Sequence, residues 1–254
     1  GVDHRRSRQG AGRLEAIPLR RLVRGDAGAL HDRPIEPIAR VEVLEIERPA
    51  VVLGSTQSFD VVDVARAEAS GFVVVRRRSG GGVVILQPGD HVWIDVTVPR
   101  GHALWLDDVE RATWWLGEAW CEVLRAEVGA TGATADSTQS RASDWSVHRG
   151  KLAATAPERA VCFASIGPGE VVRSDATAGL SRKVVGISQR RTKDAARFQC
   201  TAFREVDASL YERFMRVEVA ESLRRAVGVG EALEKVGSRA ATQLAERLGV
   251  TLAV

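Results

Sequence analysis

Cysteine is scarce and scattered in this chain. Cys121, Cys162 and Cys200 are its three, odd in number and with no C-x-x-C pair, which excludes a disulfide framework and a structural zinc site. The five histidines (His4, His31, His91, His102, His148) form no H-x-x-x-H or similar grouping, so no metal site is expected. No apolar run approaches the roughly 18–20 residues that span a bilayer. The amino terminus lacks the apolar core of a secretion signal, and the expectation is a cytoplasmic protein. Lysine is rare beside arginine, which makes each lysine worth weighing alone. The formal charge of +3 is too mild to indicate nucleic acid by itself; it suits a cleft for a nucleotide or an acidic carrier protein.

What is present is an ordinary globular composition, 44% hydrophobic and 27% charged over 254 residues, enough for a substantial core. Residues 1–12 are polar and read as a tail outside the fold. Val41–Glu47 alternates and Ala50–Leu53 follows Pro49; both read as strands. Asp60–Ser70 reads as a short helix stopped by Gly71. Val92, Ile94, Val96 and Val98 alternate with Trp93, Asp95 and Thr97, the cleanest strand signal in the chain. Asp107 and Asp108 are placed to cap a helix running to about Val128, with Val109, Ala112, Leu116, Ala119, Trp120 and Val123 at helical spacing. Its tryptophans (Trp114, Trp115, Trp120) read as packing groups. Gly129–Thr138 is a small-residue loop. Val161–Ala164, Glu170–Val172, Lys183–Ser188 and Arg197–Phe203 read as strands, and Ser209–Ala226 and Glu231–Leu248 as helices. This order predicts an α+β fold with a mixed or antiparallel sheet core flanked by helices.

The densest chemical signal is Val75–Val84, which runs from an apolar strand through Arg76, Arg77 and Arg78 into Ser79 and the glycines Gly80, Gly81 and Gly82. Guanidinium groups beside glycine amides suit an anionic ligand. A solvated basic hairpin with a glycine tip would read the same way. About a hundred residues later Ser181–Arg182–Lys183–Val184–Val185–Gly186 places a lysine on a strand among arginines. A surface lysine guarding an edge strand is the plainer alternative.

Together the two segments resemble the lipoate–protein ligase family, whose hallmarks read V-R-R-R-S-G-G-G-A-V and R-K-V-x-G-S-A-x-R-x-T; Leu53–Gly54–Ser55–Thr56–Gln57 is similar to its L-G-x-x-Q segment. The resemblance covers about Val41–Phe203. It implies a biotin/lipoate ligase-like catalytic domain over residues 13–206 with a helical C-terminal extension over 207–254. It implies activation of lipoate or octanoate by ATP with Mg2+, as an acyl-adenylate, and transfer to a lysine of a lipoyl carrier domain or a glycine-cleavage H-type protein. It further implies Lys183 as the catalytic cation on acyl carbonyl and phosphate. Arg77, Arg78, Ser79, Gly80, Gly81 and Gly82 would hold the adenylate, Val83, Val84 and Ile85 would follow as backbone contacts, and Gly186 would lie beside the acyl chain. No nucleic acid or membrane partner is expected.

The chain departs from the ligase pattern in two places. Ile85–Leu86–Gln87–Pro88 stands where the family carries His-Asp, and Gly169–Glu170 stands where it carries Asn-Asp, leaving Glu170 a partial substitute. Val161–Cys162–Phe163–Ala164 and Gly186–Ile187–Ser188–Gln189 instead resemble the cysteine-dependent octanoyltransferases of the same superfamily, which implies an ATP-independent transfer through Cys162 as nucleophile. A buried strand cysteine is the plainer reading of Cys162. A biotin–protein ligase would show a differently ordered arginine–glycine loop. A non-catalytic module binding acyl groups or carrier proteins is the remaining alternative.

Overall fold

The computed structural model describes residues 21–128, 145–175, 180–224 and 226–250; the predicted tail at 1–12 and the predicted loop Gly129–Thr138 lie outside them. Among the described residues ten strands form two sheets. The larger contains β1 (Arg21–Gly25), β2 (Arg40–Ile46), β6 (His91–Pro99), β7 (Trp145–Val147), β8 (Val171–Asp175), β9 (Leu180–Arg191) and β10 (Ala195–Phe203) in the order β1-β2-β6-β10-β9-β8-β7. Only β1 and β2 pair parallel in it. The smaller contains β3 (Ala50–Leu53) between β4 (Val73–Arg76), parallel to it, and β5 (Val84–Leu86), antiparallel. The fold is α+β with a mixed sheet core.

Period-two alternation gives the large sheet two unlike faces. Val41, Ile94, Val96, Phe198, Cys200, Val185 and Ile187 point into an apolar core shared with α3 (Trp114–Glu127) and α6 (Leu233–Leu248). The opposite face carries cross-strand rows fixed by register: Glu42, Asp95, Gln199 and Ser188 in one; Leu44, Trp93, Thr201 and Gly186 in the next. The small sheet lies over that second face. Its Ala50, Val52, Val84 and Leu86 meet Leu44, Trp93, Phe163 and Phe203, while Val51, Leu53 and Ile85 pack against α4 (Ala208–Phe214). With both faces covered, β3 is wholly buried, which is why its sequence is a continuous apolar run.

Several elements differ from the sequence reading. β4 and β5 lie on opposite sides of β3, so the glycine segment bridges the end of that strand and is no hairpin tip. Val161–Ala164 is not a strand. Val161 makes one bridge to Val83 and Cys162–Ala164 turns as a 3₁₀ helix, because the Cys162 carbonyl accepts from Lys183 and Ser165 rather than from a ladder partner. The helix expected over Ser209–Ala226 is two short ones, α4 and α5 (Ala220–Leu223), parted where Met215 bridges Val62 and the Arg216 amide bonds Val61. The helix α2 (Val64–Ala69) begins only at its Asp63 cap. Asp108 caps a 3₁₀ turn, Arg111–Thr113, ahead of α3, and leaves Val109 exposed. Trp115 and Trp120 are buried in the core as expected.

Candidate functional site

Strict alternation along β9 would put Lys183 on the same face as Val185 and Ile187, inside the apolar core. The pairing with β8 prevents this. Val171 faces Val185 but Val172 faces Lys183, so Val184 is a surplus residue, and both Val184 and Val185 enter the core. This β-bulge turns Lys183 to the other face. β9 is also an interior strand, so the edge-lysine alternative does not hold. Lys183 is 1% exposed. Its Nζ lies 2.7 Å from Glu170 Oε1, 2.7 Å from the Cys162 carbonyl oxygen and 3.7 Å from Cys162 Sγ, with the Phe163 ring centroid at 5.0 Å. Burial pulls the ammonium's pKa down, but Cys162 and Glu170 outweigh it and hold it above the ordinary lysine value. Glu170 is itself fixed by the amides of Ile187 (3.1 Å) and Gly167 (2.6 Å).

Cys162, partly buried, borders a narrow cavity of about 40 Å³ between the sheets. Val84, Leu86, Trp93, Phe163, Gly186 and Ile187 give it an apolar lining, and Arg77, Ser188, His31 and Gln199 add polar groups. A side chain on Gly186 would press on Lys183 Cε at 3.2 Å and Phe163 at 3.3 Å, so glycine there keeps lysine and cavity together.

The glycine segment closes over this site without offering its arginines as ligands. Arg77 is 4% exposed, and Nη2 donates to the carbonyls of Gly80 and Gly82, each at 2.9 Å. Arg78 points out to an exposed pair with Asp32, 2.7 Å. Ser79 Oγ meets Ser188 Oγ (3.2 Å) and Gln199 Oε1 (3.4 Å). Gly82 packs on the backbone of Ala160 and Val161. The amide of Val83 donates to Ala160 O and that of Ile85 to Tyr211 Oη. Val84 lines the cavity. Gln57, from the L-G-x-x-Q turn, accepts from Gly54 N and donates to Ala160 O, bracing the turn that carries Cys162. Lys183, Cys162, Gly81, Gly186 and Ser79 are therefore brought together, while Arg78 stands apart.

Sequence reasoning missed the floor of the site. His31, at the end of α1 (Ala27–Asp32), stacks on Trp93 at 4.4 Å and meets Gln199 Oε1 at 3.3 Å. Burial, with Arg77 and Arg197 nearby, lowers its pKa to about 3, so the ring is neutral. Gln199 donates to Asp95, which pairs with Arg197, and Arg197 binds the Leu30 and His31 carbonyls at the end of α1. His31 lines the cavity together with Leu86, which follows the glycine segment in sequence. The available signal was the polar residue on every second position of three adjacent strands: Asp95, Gln199 and Ser188.

A family model described as the lipoyl protein ligase A/B catalytic domain matches residues 30–238. No curated protein matches the chain. Solved structures share its fold. An archaeal bipartite lipoate protein ligase, studied with its E2 lipoyl domain from Thermoplasma acidophilum, superposes with a TM-score of 0.62 at 14% identity, covering 93% of this chain and 86% of that one. A T. acidophilum protein proposed to be a lipoate protein ligase, solved with bound lipoic acid, gives 0.64 at 14%, covering 93% and 88%. A lipoate-protein ligase A bound with ATP gives 0.59 at 15%, covering 92% and 87%.

Proposed function

The chain belongs to the lipoyl protein ligase A/B catalytic-domain family, and from that premise we propose that it is an acyltransferase that carries an octanoyl or lipoyl group on Cys162 and delivers it to a lysine of a lipoyl carrier protein. One observation carries this reading: the Lys183 ammonium stands 3.7 Å from a cavity-lining thiol, with its charge secured by Glu170. The nucleophile and a group able to give and take a proton thus stand side by side on the cavity.

The transfer balances on these residues. The Cys162 thiolate attacks the carbonyl carbon of a carrier thioester, and the carrier sulfur leaves with its electron pair and takes a proton from Lys183. The acceptor amine then attacks the acyl-cysteine, amide formation expels the Cys162 thiolate, and Lys183 recovers its proton from the attacking nitrogen. The apolar lining suits the acyl chain.

The sequence order R-R-S-G-G-G followed by R-K-V favours a second reading, in which ATP activates free lipoate or octanoate as an acyl-adenylate. Magnesium would accompany the nucleotide. Both Glu170 oxygens are already occupied, and among the described residues no three His, Cys, Asp or Glu side chains gather to hold a metal ion. Magnesium beside a nucleotide is held largely by phosphates and water, and no step here runs through it.

The deciding experiment offers an apo lipoyl domain, or a glycine-cleavage carrier, to the protein in two mixtures. One contains octanoyl-carrier thioester without ATP; the other contains free lipoate or octanoate with ATP and magnesium. Acylation in the first, with an octanoyl adduct on Cys162 that Cys162→Ser abolishes, is expected. Acylation only in the second, surviving Cys162→Ser, would establish the ligase instead. No acylation in either would leave a binding module.

A further inference from the structure

The second half of the proposed transfer hands an acyl group from Cys162 to a lysine amine, and the site holds a lysine of its own. Lys183 Nζ stands 3.7 Å from Cys162 Sγ. In an acyl-enzyme the carbonyl carbon is one bond from that sulfur. Groups held so close react far faster than an amine that must diffuse in. The internal reaction balances: the Nζ electron pair attacks the carbonyl carbon, and the carbon–sulfur bond breaks. The Cys162 sulfur leaves with that bond's pair and takes a proton from the nitrogen. The product is an amide on Lys183, and an enzyme that cannot turn over. The hazard is built into the transfer, because Lys183 is an amine once the carrier sulfur has taken its proton.

Glu170 opposes this reaction. It is 5% exposed, and its carboxylate is fixed from three directions. Oε1 accepts from Lys183 Nζ at 2.7 Å and from the Ile187 amide at 3.1 Å, and Oε2 accepts from the Gly167 amide at 2.6 Å. It is therefore held in place when Lys183 changes charge. A carboxylate at that distance favours the protonated nitrogen, which has no electron pair to attack with. At 1% exposure, Lys183 has no shell of water to do the same. The amide is disfavoured as well, since it would leave Glu170 buried without its cation.

We infer that Glu170 is a positioning residue whose charge keeps Lys183 from capturing the acyl group on Cys162, so that the group waits for the carrier's lysine. It does so by drawing a proton from water onto Nζ, which shortens the life of the Lys183 amine. The inference rests on the reading of Cys162 as acyl acceptor.

The test charges the protein with octanoyl-carrier thioester in the absence of an acceptor, then reads its intact mass before and after hydroxylamine. Hydroxylamine cleaves thioesters and spares amides. The wild-type adduct should be lost to hydroxylamine and map to Cys162. Glu170→Gln keeps the shape of the side chain without its charge. In that variant the resistant octanoyl mass should rise at least about tenfold and map to Lys183. A merely structural Glu170 would change the yield of adduct without moving it to Lys183. A fully hydroxylamine-labile adduct in the folded variant therefore overturns the inference. If the variant does not fold, the wild-type acyl-enzyme decides through pH. Burial lowers the pKa of the Lys183 ammonium, and once Cys162 is capped Glu170 is the titratable group left to hold it up. Migration to Lys183 should then quicken about tenfold per pH unit between about pH 7 and pH 10. Migration at a rate independent of pH would overturn the inference. A wild-type protein that takes up no octanoyl group at all refutes the cysteine reading itself, a distinct outcome.

Discussion

Lys183 and Glu170 form a pair in which each side chain depends on the other. Replacing Lys183 by alanine alone leaves the Glu170 carboxylate buried without its cation, which costs about 3–5 kcal/mol, so lost activity would be mixed with lost stability. The charge-neutral double variant Lys183→Met/Glu170→Gln separates the two. It should recover most of the thermal midpoint lost by Lys183→Ala while remaining inactive in the carrier-thioester assay. A folded double variant that turns over normally would remove Lys183 from the chemistry.

Two histidines, His31 buried and His91 half-buried, contribute to the acid limit of the fold. Burial lowers His31 to about 3 and His91 to about 4, both below the ordinary 6.5. Each takes up a proton on unfolding between those values and pH 6.5, so stability is full above about pH 6.5 and declines as pH falls, by at most about 1.4 kcal/mol per pH unit per histidine. Urea midpoints measured from pH 7 to pH 4 should follow this, and His91→Leu should flatten the slope. An unchanged slope in that variant would show that other groups carry the acid sensitivity.

At the scale of the element, the site adjoins the surplus Val184. Deleting it makes Lys183 and Val185 consecutive, and regular alternation then still sets them on opposite faces. Carrier-thioester turnover should survive in the deletion variant, while the urea midpoint should drop because a buried valine is lost. Loss of turnover in a folded deletion variant would show that the bulge does more than choose the face of Lys183. The bulge also marks where the sequence stops being legible. Strands β2, β3, β6 and β10 could be read because one face of each alternation, or both faces of β3, is apolar. Cys162–Ala164 is as apolar as a strand, but its shape follows from the lysine and serine that take the Cys162 carbonyl, partners remote in sequence or hidden in a turn. Met215 ends α4 through its bridge to Val62, again a tertiary cause. Within the site, Lys183, Cys162 and the glycine segment were legible as residue types. The inward turn of Arg77 was not, because a strand–glycine pattern does not say which carbonyls a guanidinium will meet.

In the whole molecule, the C-terminal residues pack into the same cores as the rest. α6 lies on α3 and β6, and α4 covers the small sheet, with its Tyr211 hydroxyl holding the Ile85 amide. Among the described residues no helix is long and apolar enough to cross a membrane. The large sheet has β10 at its centre, between β6 on one side and β9 on the other. Strands from the first hundred residues lie on one side of it, and strands from residues 145–191 lie on the other. During synthesis each half-sheet is therefore left with an open edge until residues 195–203 leave the ribosome and close both at once. Such non-local pairing is slow, and open edges recruit strands from other chains. β10 is a keystone set late, and the acyl cavity, whose floor includes its Gln199 and Thr201, comes into being only when that strand slots home.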